Sequence, residues 1–190
     1  MDDKELLKWR FDISTFRLIG RELITDRITA LFELVKNCYD ANAQKVSVIF
    51  ENVGPNMKGS AISIQDDGFG MSFEDIRDKW MVIGTANKRK SPYSPEPFNR
   101  KCVGEKGIGR FAVDKLGDKL TILTKKKGQS EWLKVDIDWN FYERSESDNQ
   151  PKWFTDIESP YEYVLADDIE EQGTKLIITQ IREIWDSNSI

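Results

Sequence analysis

Between Phe16 and Asn37 the apolar residues Phe16, Ile19, Leu23, Ile28, Leu31, Phe32 and Val35 recur at mostly three- to five-residue steps, the pattern of a helix with one buried face. Nothing after Gly20 breaks this stretch, so it predicts one long helix with a kink near Gly20. Residues 46–51 and 61–66 read as strands joined by a polar turn over 52–59. Ser72, with Asp75 three positions on, is a capping-box start for a helix running to about Val82. Residues 84–103 hold three prolines, several lysines and few apolar groups, which predicts a long mobile loop. A short helix is expected from Gly109 to Gly117. Residues 119–126 and 132–139 read as an antiparallel pair turning through Lys127-Gly128-Gln129. The acidic stretch 143–160 reads as an excursion from the core, and 175–181 as a last strand.

This order of elements fits an α/β (α+β) two-layer sandwich, with helices on one face of a mixed or antiparallel sheet. It lacks the regular βαβ alternation of a doubly wound fold. At 190 residues without internal repeats, one domain spanning 1–190 is expected.

Composition narrows the chemistry. With no histidine in the chain, a Ser-His-Asp triad, a Cys-His dyad and every histidine-containing zinc site are excluded. Any general base must be Asp, Glu, Lys, Tyr or Cys. The net charge of −5 argues against the domain as a whole acting as an electrostatic trap for nucleic acid, apart from a local basic stretch at Lys88-Arg89-Lys90 and Arg100-Lys101. Cys38 and Cys102 form neither a metal spacing nor a disulfide framework, which suits a reducing compartment. With an acidic N-terminus and no apolar run of membrane length, the expected location is the cytoplasm, away from membranes.

Four short patterns follow one another. The first is Glu33-Leu-Val-Lys-Asn37-Cys-Tyr-Asp40-Ala41. On a helix Glu33, Asn37 and Asp40 fall within about 60° of one another, opposite Leu31, Leu34, Val35 and Cys38. Such a face can be merely solvated; it can also polarise an attacking water through the glutamate and ligate Mg²⁺ through the amide oxygen. The second is Asp66-Asp-Gly68-Phe-Gly70-Met71. It can be a turn, or a buried acceptor for the N6 amine of adenine with glycines that admit the ring and a methionine against its face. The third is Gly104-Glu105-Lys106-Gly107-Ile108-Gly109-Arg110, whose backbone N–H groups and cationic side chains suit a phosphate. Its Gly107-Ile-Gly109-Arg-Phe-Ala112 portion also fits a dinucleotide fingerprint, but a poor strand precedes it and no βαβ unit follows. A P-loop is absent, because the near match at 54–60 lacks the lysine. The fourth is Gly173-Thr174, either a turn entry or an adenine-side hydroxyl. Together the four contain what is needed to hold and cut ATP.

In this order the blocks resemble the GHKL superfamily and its Bergerat ATP-binding fold, over roughly residues 15–181. The motifs are most similar to those of the heat-shock chaperone, MORC and MutL ATPase domains. The resemblance implies Glu33 as the water-activating base and Asn37 as the Mg²⁺ ligand. It implies Asp66 for adenine, with Thr174 beside it. It implies ATP and Mg²⁺ as cofactors, with nucleotide contacts from Asn37, Asp40, Ala41, Gly68, Gly70, Met71 and the block Gly104, Glu105, Lys106, Gly107, Ile108, Gly109 and Arg110. Residues 83–88 are similar to a segment of the heat-shock chaperone. A lid over about 84–109 would order on ATP and change how two copies or neighbouring domains dock. Nucleic acid is expected only through other domains. Chaperone, gyrase and MutL relatives carry a following domain that donates a lysine to the γ-phosphate. This chain ends within ten residues of its last expected strand, so slow hydrolysis is expected from it alone. Two alternatives remain, a histidine-kinase catalytic domain, which usually lacks the glutamate, and a nucleotide-gated interaction module without turnover.

Overall fold

The computed structural model describes residues 8–56, 58–83, 92–104, 109–143 and 152–186. Among them, six strands form one sheet in the order β1-β2-β6-β3-β4-β5, with every neighbouring pair antiparallel. The strands are β1 (Val46–Glu51), β2 (Ala61–Asp66), β3 (Gly117–Lys125), β4 (Glu131–Asp138), β5 (Tyr161–Leu165) and β6 (Gly173–Ile181). The helices are α1 (Thr15–Arg17), α2 (Arg27–Asp40), α3 (Phe73–Asp75) and α4 (Ala112–Leu116). The α+β sandwich and the antiparallel option are as expected.

The core lies between sheet and helices. Ile62, Ile64, Leu120, Ile122, Leu133, Val135, Ile137 and Ile178 project to the helix side, where Ala30, Leu34 and Cys38 of α2 and Ala112, Val113 and Leu116 of α4 are buried with them. The alternating burial along β3 and β4 is that of a sheet with one covered face, while Ala61–Ile64 of the inner strand β2 are all buried.

The expected single helix from Phe16 to Asn37 is two pieces. α1 continues into a π-helical turn, Leu18–Glu22, and the chain then breaks. Asp26 adopts an extended conformation and accepts the Thr29 N–H at 2.9 Å, starting α2 afresh. A side-chain acceptor at an N-cap satisfies one of the orphan N–H groups, so the aspartate wins over continuous apolar periodicity. Phe16 leaves the helix line altogether and packs among Phe111, Trp139, Tyr142 and Phe154 with ring centroids 4.7–5.7 Å away. Phe32 of α2 is 62% exposed, outside the core stripe.

The capping box at Ser72 and Asp75 forms as expected, but only α3 is α-helical. Ile76–Trp80 widens into a π-helical turn closed by Met81 N–H on Ile76 O at 2.8 Å. β5 was missed, because its five residues are exposed and carry no inward-facing apolar alternation. The described part of the 143–160 excursion returns to the core: Trp153 bridges Asp12, and Phe154 and Ile157 pack on buried residues. Of the expected lid, 84–91 and 105–108 lie outside the described residues. Residues 92–104 are strapped to the end of α2, through Arg100 Nη1 on Ala43 O at 2.6 Å and Asn42 Nδ2 on Pro95 O at 2.6 Å.

Candidate nucleotide site

The second motif meets α2 at Ala41, and the third meets it at Glu33, Asn37 and Asp40. With Leu34 and Cys38 buried, Glu33 and Asn37 are left half-buried on the other side. The two oxygens of Glu33 have different neighbours. Oε1 receives Lys36 Nζ at 2.6 Å. Oε2 faces Gly109, where a Cβ would stand 3.1 Å from it and 3.9 Å from Asn37 Nδ2. The backbone of the third motif therefore lies against the two polar residues of the first.

Asp40, one turn on, accepts Val103 N–H at 2.8 Å and Gly104 N–H at 3.1 Å. It fastens this part of the loop to α2. Arg110 Nη1 donates to the carbonyls of Lys79 and Trp80, and at 3.4 Å to that of Val82, capping the π-helical turn, whose last carbonyls lack helical partners. Glu105, Lys106, Gly107 and Ile108 lie outside the described residues.

The second motif is stapled to the C-terminal end of α2. Phe69 N–H donates to Ala41 O at 3.0 Å, and Asp67 Oδ1 accepts the N–H groups of Gln44 and Lys45. Asp66 closes β2 as a buried carboxylate and accepts Gly68 N–H at 2.8 Å. The Cys38 thiol, packed beside this carboxylate, donates to Leu34 O at 3.4 Å. Burial raises the Asp66 carboxyl above the ordinary value, the Gly68 hydrogen bond opposing. The Cys38 thiol is pushed up by burial, then by the Asp66 charge.

Gly70 has φ +64°, and a Cβ there would stand 2.0 Å from Lys125 O; only glycine meets both conditions. Met71 is half-buried against the core. Its N–H donates to Thr124 Oγ1 at 2.8 Å, and Thr124 Oγ1 lies 2.9 Å from Thr174 Oγ1. Two residues here escaped the motif reading. Thr124 is fully buried on β3; its signal was a lone hydroxyl at the inward position after Leu120 and Ile122. Lys125 is also fully buried, its Nζ donating to the carbonyls of Gln129, Asp168 and Ile169 at 2.8–3.2 Å, and it pins the segment that leads into Gly173.

One helix thus joins a buried acceptor carboxylate at one end to a glutamate, an amide and a close-packed glycine at the other. A family model described as histidine kinase-, DNA gyrase B- and HSP90-like ATPase matches residues 25–174. The chain belongs to this family. Its assignment agrees with the antiparallel sheet and covered face, and it leaves no place for the dinucleotide fingerprint, which needs a βαβ unit.

The chain is similar to several curated relatives. It is 32% identical over 103 residues to a candidate type II restriction enzyme, HgiDII, of Herpetosiphon aurantiacus, covering 54% of this chain and 15% of that one. It is 27% identical to the chaperone protein HtpG of Rhodococcus jostii over 58% of this chain and 18% of that one. It is 26% identical to the DNA mismatch repair protein MutL of Rickettsia felis over 69% of this chain and 20% of that one. The chain therefore spans a fifth or less of the length of these relatives. The crystal structure of the N-terminal domain of a DNA repair protein shares the fold, with a TM-score of 0.54 and 21% identity over 88% of this chain and 39% of that one. Among the described residues no helix is long and apolar enough to cross a membrane.

Proposed function

We propose that this chain is an Mg²⁺-dependent ATP-binding and ATP-hydrolysing domain that acts as a conformational switch. The observation that carries the reading is the span of α2, which places Cys38 and Ala41 against Asp66 and Gly68 while Glu33 and Asn37 face Gly109. Asp66 would accept the N6 amine of adenine. A guanine would set its O6 acceptor against the same carboxylate, leaving unpaired groups and weakening binding by roughly 1–3 kcal/mol.

Mg²⁺ fits the donor set. Among the described residues no group of three or more Asp, Glu, Cys or His is placed to hold a metal, and a metal that takes one protein oxygen, phosphate oxygens and water needs none. Asn37 would hold it through the amide oxygen. Bound there it would neutralise charge on the phosphates. Glu33 Oε2, on the side away from Lys36, would orient the attacking water and take its proton. The backbone at Gly109 would face the phosphate end. Asp40 would couple Gly104 and the lid to α2, so that lid closure on ATP alters docking between two copies or with neighbouring domains. The chain's place would be the cytoplasm.

Phosphate release from ATP by the purified protein tests the reading. Glu33→Ala should abolish release and keep ATP binding; Asp66→Asn should abolish binding. Normal ATP affinity in the Asp66 variant refutes the adenine assignment. The histidine-kinase alternative is disfavoured by Glu33 itself, since phosphoryl transfer to a histidine needs no water-activating base. A nucleotide-gated module without turnover would bind ATP and release no phosphate.

A further inference from the structure

Around the axis of α2, at about 100° per residue, Glu33 stands between two polar neighbours, Lys36 about 60° to one side and Asn37 about 40° to the other. The carboxylate is divided in the same order. Lys36 Nζ donates to Oε1 at 2.6 Å. Oε2 is the oxygen left toward Gly109, whose added Cβ would stand 3.1 Å from it and 3.9 Å from Asn37 Nδ2.

For stability, a lysine three residues after a glutamate on a helix counts for little, because water screens the pair and both side chains lose freedom. Its effect on the carboxylate's orientation is larger. The last torsion of a glutamate side chain is broad and nearly two-fold, so an untethered carboxylate turns and offers either oxygen. The Glu33 side chain is 30% exposed, with a cation on one oxygen and the backbone of Gly109 against the other. Its plane is therefore set from both ends. A base that takes a proton from water needs an oxygen free to accept it in the right direction, and Oε1 is occupied by the ammonium. A lysine next to Asn37 in the chain could instead reach a phosphate itself. Its place on the flank away from Asn37, and its short contact with Glu33, favour the first role.

Resting on the ATP reading above, we infer that Lys36 is a positioning residue for hydrolysis: its ammonium ties down Oε1 of Glu33 and so presents Oε2 to the water at the phosphate end. Lys36 acts through Glu33 and touches neither the water nor the nucleotide.

The experiment combines phosphate release from ATP, calorimetric titration with ADP and with a non-hydrolysable ATP analogue, and crystal structures of the free wild-type and variant proteins. Lys36→Met keeps the stem and removes the cation. It should lower kcat by about tenfold or more, as for a misplaced catalytic group, with both affinities unchanged to within about twofold. Lys36→Arg returns a cation to Oε1 and should bring turnover back to within about threefold of wild type. In the crystal, the carboxylate of Glu33 should leave its wild-type orientation in Lys36→Met and keep it in Lys36→Arg. A fall in kcat of less than about threefold in Lys36→Met overturns the inference, because the pair is then an ordinary surface pair. So does a carboxylate that keeps its orientation without the lysine, or a turnover that arginine does not recover. Weaker binding of the ATP analogue with ADP unchanged also overturns it, since Lys36 would then meet the γ-phosphate. If Lys36→Met does not fold, Lys36→Gln is read in the same way. A wild-type protein that binds no nucleotide, or binds it and releases no phosphate, is the distinct failure of the ATP reading, and this inference falls with it.

Discussion

Glu33 and Gly109 are packed so closely that a Cβ on the glycine would stand 3.1 Å from Glu33 Oε2. That separation is tighter than ordinary van der Waals contact between carbon and oxygen, so a methyl group there must displace the carboxylate by a few tenths of an ångström. Oε1 is held by Lys36 at 2.6 Å, which limits how the side chain can yield.

Gly109→Ala is therefore expected to slow ATP turnover by about tenfold or more, since small misplacement of a catalytic group is disproportionately harmful, while ATP affinity changes by less than about threefold. Phosphate release and calorimetric titration on the same samples separate the two quantities. A parallel fall in affinity would mean that the glycine serves nucleotide binding and not the placement of Glu33.

The burial of Asp66 has a signature in stability against pH. Its folded carboxyl lies above the ordinary value of 3.8 because burial disfavours the charge. The contribution to stability is thus fully present below the unfolded value and is lost as pH rises through the folded one. The unliganded wild-type protein should lose stability relative to Asp66→Asn as pH increases from about 3.8, and the difference should level off once the folded group is ionised. Urea unfolding of both proteins across this range gives the curve, and a difference that grows in the other direction would show a carboxylate stabilised in its charged form.

Much of this architecture was readable in advance, and the exceptions have local causes. β1 and β2 match their expected limits because β-branched residues alternate between unambiguous turns. The polar side of α2 was readable because helical spacing alone gathers Glu33, Asn37 and Asp40. The break before Asp26 was hidden by the apolar residues on both sides, which share a helical period although they belong to two elements packed on different neighbours. β5 pairs with β4 through its backbone while its side chains stay exposed; its Tyr-Glu-Tyr-Val-Leu sequence did carry β-prone residues, a signal masked by the acidic stretch before it. Thr124 and Arg110 depend on contacts from residues 30 to 50 positions away, which no local motif contains.

Asp75 gives a test at the second motif. Burial alone would raise its carboxyl, but ion pairs with Lys126 and Lys79 and the Ser72 N–H together hold it well below the ordinary carboxylate range. With a depressed folded value, its stabilisation is present above the unfolded value and lost as pH falls through the folded one. Asp75→Ala should be less stable than wild type by about 1–2 kcal/mol at neutral pH, as for the loss of a cap with a partly buried ion pair. The deficit should shrink as the pH is lowered below about 3.8. Guanidinium would mask the ion pairs, so urea melts at several pH values are the measurement; a deficit unchanged in acid would leave only the neutral hydrogen bond at Ser72.

The last prediction concerns the carboxylate of Asp114 on α4, whose side chain is 2% exposed and lies between two arginines. Its Oδ1 meets Arg21 Nη2 at 3.0 Å and Arg182 Nη2 at 3.2 Å, and Arg182 Nε donates to its carbonyl at 2.9 Å. Arg21 comes from the π-helical turn after α1 and Arg182 follows β6 directly, so one buried carboxylate ties two distant segments to the helix that starts just past Gly109. Glu143 on Arg21 and Asp118 on Arg182 supply further negative charge, at 2.8 and 2.7 Å. Removing the central partner leaves two partly buried guanidinium groups without it, and breaking a buried pair in this way typically costs about 3–5 kcal/mol. Asp114→Ala should fall in that range in urea unfolding, and Asp114→Asn, which keeps an acceptor, should fall below it. Because the three groups act as one network, Arg21→Met combined with Asp114→Leu should be less destabilising than the sum of the single changes by at least about 1 kcal/mol. Additive losses would mean that Arg21 is held by Glu143 alone and that α4 is fixed by its apolar face, with Val113 and Leu116 sufficient to seat it.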